Sequence, residues 1–197
     1  MMNFSERGYR NEFGYGAYEH VERNEMLILD TGVFGPNCPD GDGRQFKLTS
    51  PDGHVTSCVS IWDAMAAYLS DSIGHSVSAD NKDIETATRQ MVETIPGAEE
   101  ELRNAVYSIV YYYMGLECAY GHRPSGDLKE TGSAGLILDM PACEMDGIEP
   151  FWGTVADDSG NVKGRNMFGQ ILMDVRKKIR PEMKSAISWF QGYQLSH

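Results

Sequence analysis

The sequence predicts an α+β domain, mostly helices packed around short strands and hairpins. Three observations carry that prediction. Segments with a 3.6-residue apolar period recur along the chain, and short apolar or alternating runs closed by Gly, Pro, Asp or Asn lie between them. The two kinds of segment follow one another irregularly, and no repeat, low-complexity tract or linker divides the chain. With 197 residues, one domain can bury most of the surface its unfolded chain would expose.

The first residues, through about Ala17, are rich in Gly, Tyr, Asn and charge and lack an apolar period. We therefore divide the chain into an N-terminal arm over residues 1–25 and a domain over residues 26–195. Met26-Leu-Ile-Leu-Asp30 is a short buried strand. The next segment, 34–43, is a loop by composition. Arg44–Leu48 and Val55–Val59 flank the strong turn Ser50-Pro-Asp-Gly53 and form a hairpin. Ser60 with Asp63 three residues on resembles a capping box, with Asp in the usual Glu position, opening a helix to about Ser70. Ile61, Ala64, Met65, Tyr68 and Leu69 form its inner face.

A second helix, Lys82 to Ile95, turns Ile84, Ala87, Met91 and Val92 inward and stops at Pro96-Gly97. Glu99-Glu-Glu101 suits the first turn of a third, with a stripe of Leu102, Val106, Ile109, Val110 and Tyr113. Rings at Tyr111, Tyr112 and Tyr113 fall on more than one face, so they either cover the core together or leave one beside a cavity or interface. Ser125 caps a short helix closed by Thr131-Gly132; Leu136–Leu138 and Pro150–Val155 are strands. Gly164 to Arg176 reads as a turn and a helix burying Met167, Phe168, Ile171, Leu172 and Val175. Asn166 is its N-cap, and Gly164 and Gly169 permit close backbone approach. This helix start is either an ordinary capped terminus or an anion site. A last helix, about Lys184 to Gln191, presents Ile187, Trp189 and Phe190.

Composition narrows function. Seventeen basic against 29 acidic residues give a formal charge of −12, which disfavours bulk nucleic-acid binding but leaves room for a local phosphate pocket. Cys38, Cys58, Cys118 and Cys143 show no CxxC pair and no histidine at ligand spacing, which fits a reducing compartment and no metal site. No apolar run approaches a membrane span and no leader is evident, so the expectation is a cytoplasmic protein with no membrane partner and no cofactor, and compatible with oligomer formation. His54, His75 and His122 lack partner spacing and read as surface residues, retained only as weak acid/base candidates.

An ordered set of residues resembles a known family. Thr131-Gly132, Leu136-Ile-Leu138, Phe151-Trp152-Gly153, then Gly164-x-Asn166-x-x-Gly169-x-x-Leu172-Met173-x-Val175-Arg176 looks like the C-terminal half of the NADAR (NAD- and ADP-ribose-associated, YbiA-like) family. Phe34-x-x-Asn37 and the turn at Asp52-Gly53 resemble its earlier motifs. The resemblance is strong over about 126–180, thin over 30–70 and absent at the ends. It implies a compact α+β fold that cleaves N-glycosidic bonds of ribosyl or ADP-ribosyl substrates, with a nucleotide or modified base as small-molecule partner.

That chemistry needs a carboxylate to steady an oxocarbenium-like centre or activate water, a donor for the leaving base, and aromatic surfaces to hold it. The family's glutamate, histidine and lysine at the hairpin–helix junction fall here on Ser60, Ile61 and Ala67, so that motif is missing. The family's later acid falls on Glu149. Glu149 and Asp63 are accordingly the catalytic candidates, Asp63 having the alternative role of capping residue. Asn37, Trp152, Gly153, Arg165, Asn166 and Arg176 are the ligand-binding candidates, each with a structural alternative as core, cap or dipole partner. Two readings follow from the resemblance: an N-glycosidase that hydrolyses or transfers a ribosyl group, or an inactive domain that binds an ADP-ribose-like nucleotide. A scaffold role is a third, weaker reading.

Overall fold

A computed structural model describes residues 8–10, 16–21, 26–29, 45–117, 124–138, 140, 149–156, 162–180 and 188–196. Their order is β1 (Gly8–Arg10), β2 (Gly16–Val21), β3 (Met26–Leu29), β4 (Phe46–Thr49), β5 (Val55–Cys58), α1 (Ile61–Ile73), α2 (Asn81–Thr94) and α3 (Ala98–Met114). There follow α4 (Pro124–Glu130), β6 (Gly135–Leu138), β7 (Val155–Ala156), β8 (Val162–Lys163), α5 (Met167–Lys178), β9 (Ser188–Phe190) and β10 (Tyr193–Ser196). This is the α+β class the sequence predicts.

The strands form three sheets, in the orders β1-β2-β3-β6, β5-β4-β10-β9 and β7-β8. In the first, β3 and β6 run parallel, with Leu27 opposite Leu136 and Leu29 opposite Leu138, and the other pairings are antiparallel. Residues 8–10 and 16–21, read as part of a loose arm, are thus strands of this sheet, with Tyr18 paired to Leu29. Their low apolar content hid them, because backbone pairing, of β1 to β2 and of β2 to β3, rather than a hydrophobic period defines them.

The second sheet is wholly antiparallel, and its two hairpins turn at the same end. Its inner face carries Phe46, Leu48, Cys58, Phe190, Tyr193 and Leu195, all buried. α1 follows β5 at once: the Ser60 hydroxyl accepts from Asp63 N–H at 3.0 Å while Asp63 Oδ2 accepts from Ser60 N–H at 2.9 Å, the reciprocal box the sequence predicts. Its predicted inner face is buried, and Trp62 joins it. α2 and α3 bury their predicted stripes except Val92, which is half-buried. Tyr112 and Tyr113 pack on Phe46 with ring centroids 5.8 and 6.0 Å away, while half-buried Tyr111 lies parallel to Tyr107.

α3 and α5 run side by side in the same direction, since Arg103 pairs with Asp174 at 2.9 Å and, four residues on in both helices, Lys178 lies over the Tyr107 ring.

Three expectations are corrected. Residues 188–191 are not helical: β9 pairs with β10, and Gln191 and Gly192, with φ of 47° and 83°, form the two-residue turn between them. Both positive angles match the type I′ turn whose twist suits a hairpin. Phe151–Gly153 do not form a strand; only Val155–Ala156 do, paired with β8. Ser125 lies inside α4 rather than capping it.

Candidate functional site

The sequence motif residues converge on one junction, where residues 149–153 are wedged between α2 and the start of α5. On one side stands Glu85 of α2, wholly buried, whose carboxylate accepts the backbone N–H of Phe151 and, at 3.2 Å, that of Trp152. One turn on, Thr88 Oγ1 accepts the Trp152 indole N–H at 2.7 Å. Arg89 completes the series: its guanidinium lies 3.5 Å from Glu85 Oε1 and donates to the Glu149 carbonyl. Burial lifts the Glu85 carboxyl above its ordinary range, although the two amide donors and Arg89 pull the other way.

On the other side the chain supplies its own partners to the helix terminus. Arg165, Asn166, Met167 and Phe168 donate their backbone N–H groups to the carbonyls of Pro150, Gly153, Phe151 and Trp152, at 2.8 to 3.2 Å. These are the groups an anion at this terminus would need, and carbonyl oxygens already occupy them. Of the two readings of this helix start, these bonds favour a terminus capped by the chain itself over an anion site.

Asn166 stands at the N-cap position in the left-handed region, with φ of 49°, yet makes no side-chain cap bond. Its amide instead reaches β6, accepting from Leu138 N–H at 3.0 Å and donating to the Leu136 carbonyl at 2.8 Å. It behaves as one extra residue along the strand edge, and Asn tolerates the left-handed backbone better than most residues. Gly153 and Gly169 are set by close approach. A Cβ on Gly153 would meet the Leu138 carbonyl and the Met140 side chain at 2.6 Å, and one on Gly169 would press on the Leu136 carbonyl and the Asn166 amide.

The remaining candidates separate. Trp152 is fully buried, its ring edge-on to Trp62 at 6.0 Å, and offers no free surface for a base. Asp63 Oδ2 accepts two backbone N–H groups, from Val59 and Ser60, each at 2.9 Å; its carboxylate is turned into the cap. Glu149 is exposed at the rim beside Arg89. Arg165 is exposed, stacks its guanidinium 4.6 Å from the Phe151 ring centroid and pairs with Glu99, which holds the Glu99 carboxyl below its usual range.

Arg176, toward the other end of α5, is half-buried; it donates to Thr131 Oγ1 at 2.6 Å and to the Ala134 carbonyl at 2.9 Å, closing the turn between α4 and β6. Asn37 lies outside the described residues. Glu149, Trp152, Gly153, Arg165 and Asn166 are thus brought together at the junction with α5, while Asp63 and Arg176 serve separate local structures.

The residues that sequence reasoning missed are Glu85, Thr88 and Arg89. Their signal was present: spacings of three and four along α2, beside the apolar stripe of Ile84, Ala87 and Met91. Among the described residues, Arg89 Nε is the buried side-chain nitrogen left without an acceptor. Cys58, the described cysteine, is free and buried, its thiol pushed up to about 12 chiefly by burial and then by Asp63. Among the described residues, no cluster of His, Cys, Asp or Glu is placed to hold a metal, and no helix is long and apolar enough to cross a membrane.

No protein-family model, curated protein or solved structure matches the chain.

Proposed function

We propose that this chain is a NADAR-like domain that binds an ADP-ribose-like nucleotide without cleaving it. The observation that carries this reading is the fate of Asp63. At the hairpin–helix junction, where the resembled family places its glutamate, histidine and lysine, Ser60 and Asp63 are spent on a reciprocal cap, and Ile61 is in the core. At the three positions of the resembled motif a ribosyl centre would meet the side chains of Ser60, Ile61 and Ala67, none of them a carboxylate or an amine. Binding has its own support at the rim of residues 149–153, where the guanidinium groups of Arg89 and Arg165 flank the segment. A reducing, cytoplasmic setting accords with the free buried thiol of Cys58.

The test combines thermal shift and chromatography. ADP-ribose should raise the melting temperature saturably, while NAD, ADP-ribosylated guanine nucleotides and ribosylaminopyrimidines release no base. Arg165→Ala should weaken ADP-ribose more than adenosine. Absence of any shift would remove the binder reading. A second reading, catalysis, is favoured by the exposed position of Glu149, whose backbone carbonyl Arg89 holds at the rim. Base release slowed at least about tenfold by Glu149→Gln would establish that reading instead.

A further inference from the structure

The two large apolar side chains left exposed among the described residues are Trp189 and Val55, at 65% and 52%. They sit on opposite edge strands of the second sheet, yet they belong to one cross-strand row. Trp189 is paired with Gln194, Gln194 with Thr49, and Thr49 with Val55. Residues paired in this way project to the same face, and the alternation of buried Phe190, Tyr193, Leu48 and Cys58 assigns the row to the outer one. The next outer row is Ser196, Lys47 and Ser57. The surface is therefore an indole at one edge, followed by an amide and hydroxyls, with one cation and no carboxylate.

Charge and area narrow what can cover it. A strongly cationic partner would find no acid in these two rows, and a polyanion would find one lysine on a chain of net charge −12. The row spans roughly 14 Å, three interstrand spacings of about 4.8 Å, and the two rows lie about 7 Å apart along the strands. A patch of that size falls well short of the roughly 800 Å² per partner of a stable protein interface.

We propose that this face binds a short neutral oligosaccharide laid across the strands. One pyranose ring stacks its C–H face on Trp189, and hydroxyl groups of the following rings exchange hydrogen bonds with Gln194, Thr49 and Ser57. An indole supplies a flat apolar surface at small entropic cost, and amide and hydroxyl side chains both donate and accept, as sugar hydroxyls require.

Trp62 and Trp152 are fully buried, so acrylamide-accessible tryptophan emission reports Trp189. The experiment titrates the intact chain with cellotriose, maltotriose, mannotriose and chitotriose and follows that quenching. At least one trisaccharide should protect Trp189 saturably. Trp189→Ala should abolish its binding in calorimetry with an unchanged melting temperature, and Gln194→Ala should weaken it about tenfold. Quenching unaffected by every trisaccharide would overturn the proposal. So would protection that rises with protein concentration alone, which means a second copy covers the face, or protection by oligo-dT but by no sugar.

Discussion

Glu85 Oε2 accepts the backbone N–H of Trp152 at 3.2 Å from a position wholly closed to solvent. Its other oxygen takes the Phe151 N–H, so one carboxylate on α2 fixes the two residues whose carbonyls in turn cap α5. Removing it orphans two buried donors and the Arg89 charge. Glu85→Ala should therefore destabilise the fold by about 3 kcal/mol, measured by urea unfolding at neutral pH. A loss below about 1 kcal/mol would mean that water or another group replaces it.

The same residue makes a signed prediction about pH. Its carboxyl is raised above the ordinary value of 4.5, with burial as the leading cause. A carboxyl raised by folding contributes stability that is complete below the unfolded pKa and lost as pH rises through the folded one. Glu85→Gln, fixed in the neutral state, should accordingly fare better against the wild type at pH 7 than at pH 4. A wild-type advantage that grows over this window would reverse the sign and show that the amide donors and Arg89 outweigh burial.

Asn166→Ala deletes both bonds to β6 and leaves alanine in a left-handed conformation. The expected cost is about 2–3 kcal/mol by chemical denaturation. Asn166→Gly keeps the backbone freedom and should cost less. If the two variants are equally stable, the backbone conformation contributes nothing measurable.

Ser60→Ala and Asp63→Ala each break one half of the α1 cap. Each should lower stability by about 1 kcal/mol while leaving ADP-ribose binding unchanged. A selective loss of ligand affinity at unchanged stability would return Asp63 to the site.

Cys58 should resist alkylation in the folded chain at pH 8, because its thiol, pushed up to about 12, is both buried and protonated. Peptide mass spectrometry after iodoacetamide treatment checks this at Cys58 alone. Rapid labelling without denaturant would reveal an opening of the β5–α1 junction.

The sequence by itself determined the α+β class, the β4–β5 hairpin, the capping box and the inner faces of α1, α2, α3 and α5. These are local: a periodic stripe, a turn dipeptide or a residue pair three apart is complete within a few positions. Only the tertiary structure decided the rest. Residues 16–21 became a strand by pairing with β3, and residues 188–190 a strand rather than a helix by pairing with β10; a short run holds too few residues for its period to choose.

At the candidate site, Gly-x-Asn and Phe-Trp-Gly could be read as motifs, but not which atoms they satisfy. That depended on Glu85 arriving from another helix and on Asn166 lying beside β6. A buried polar group takes whichever partner the packed chain brings within reach, and that partner lies 66 residues away for Glu85 and 28 for Asn166.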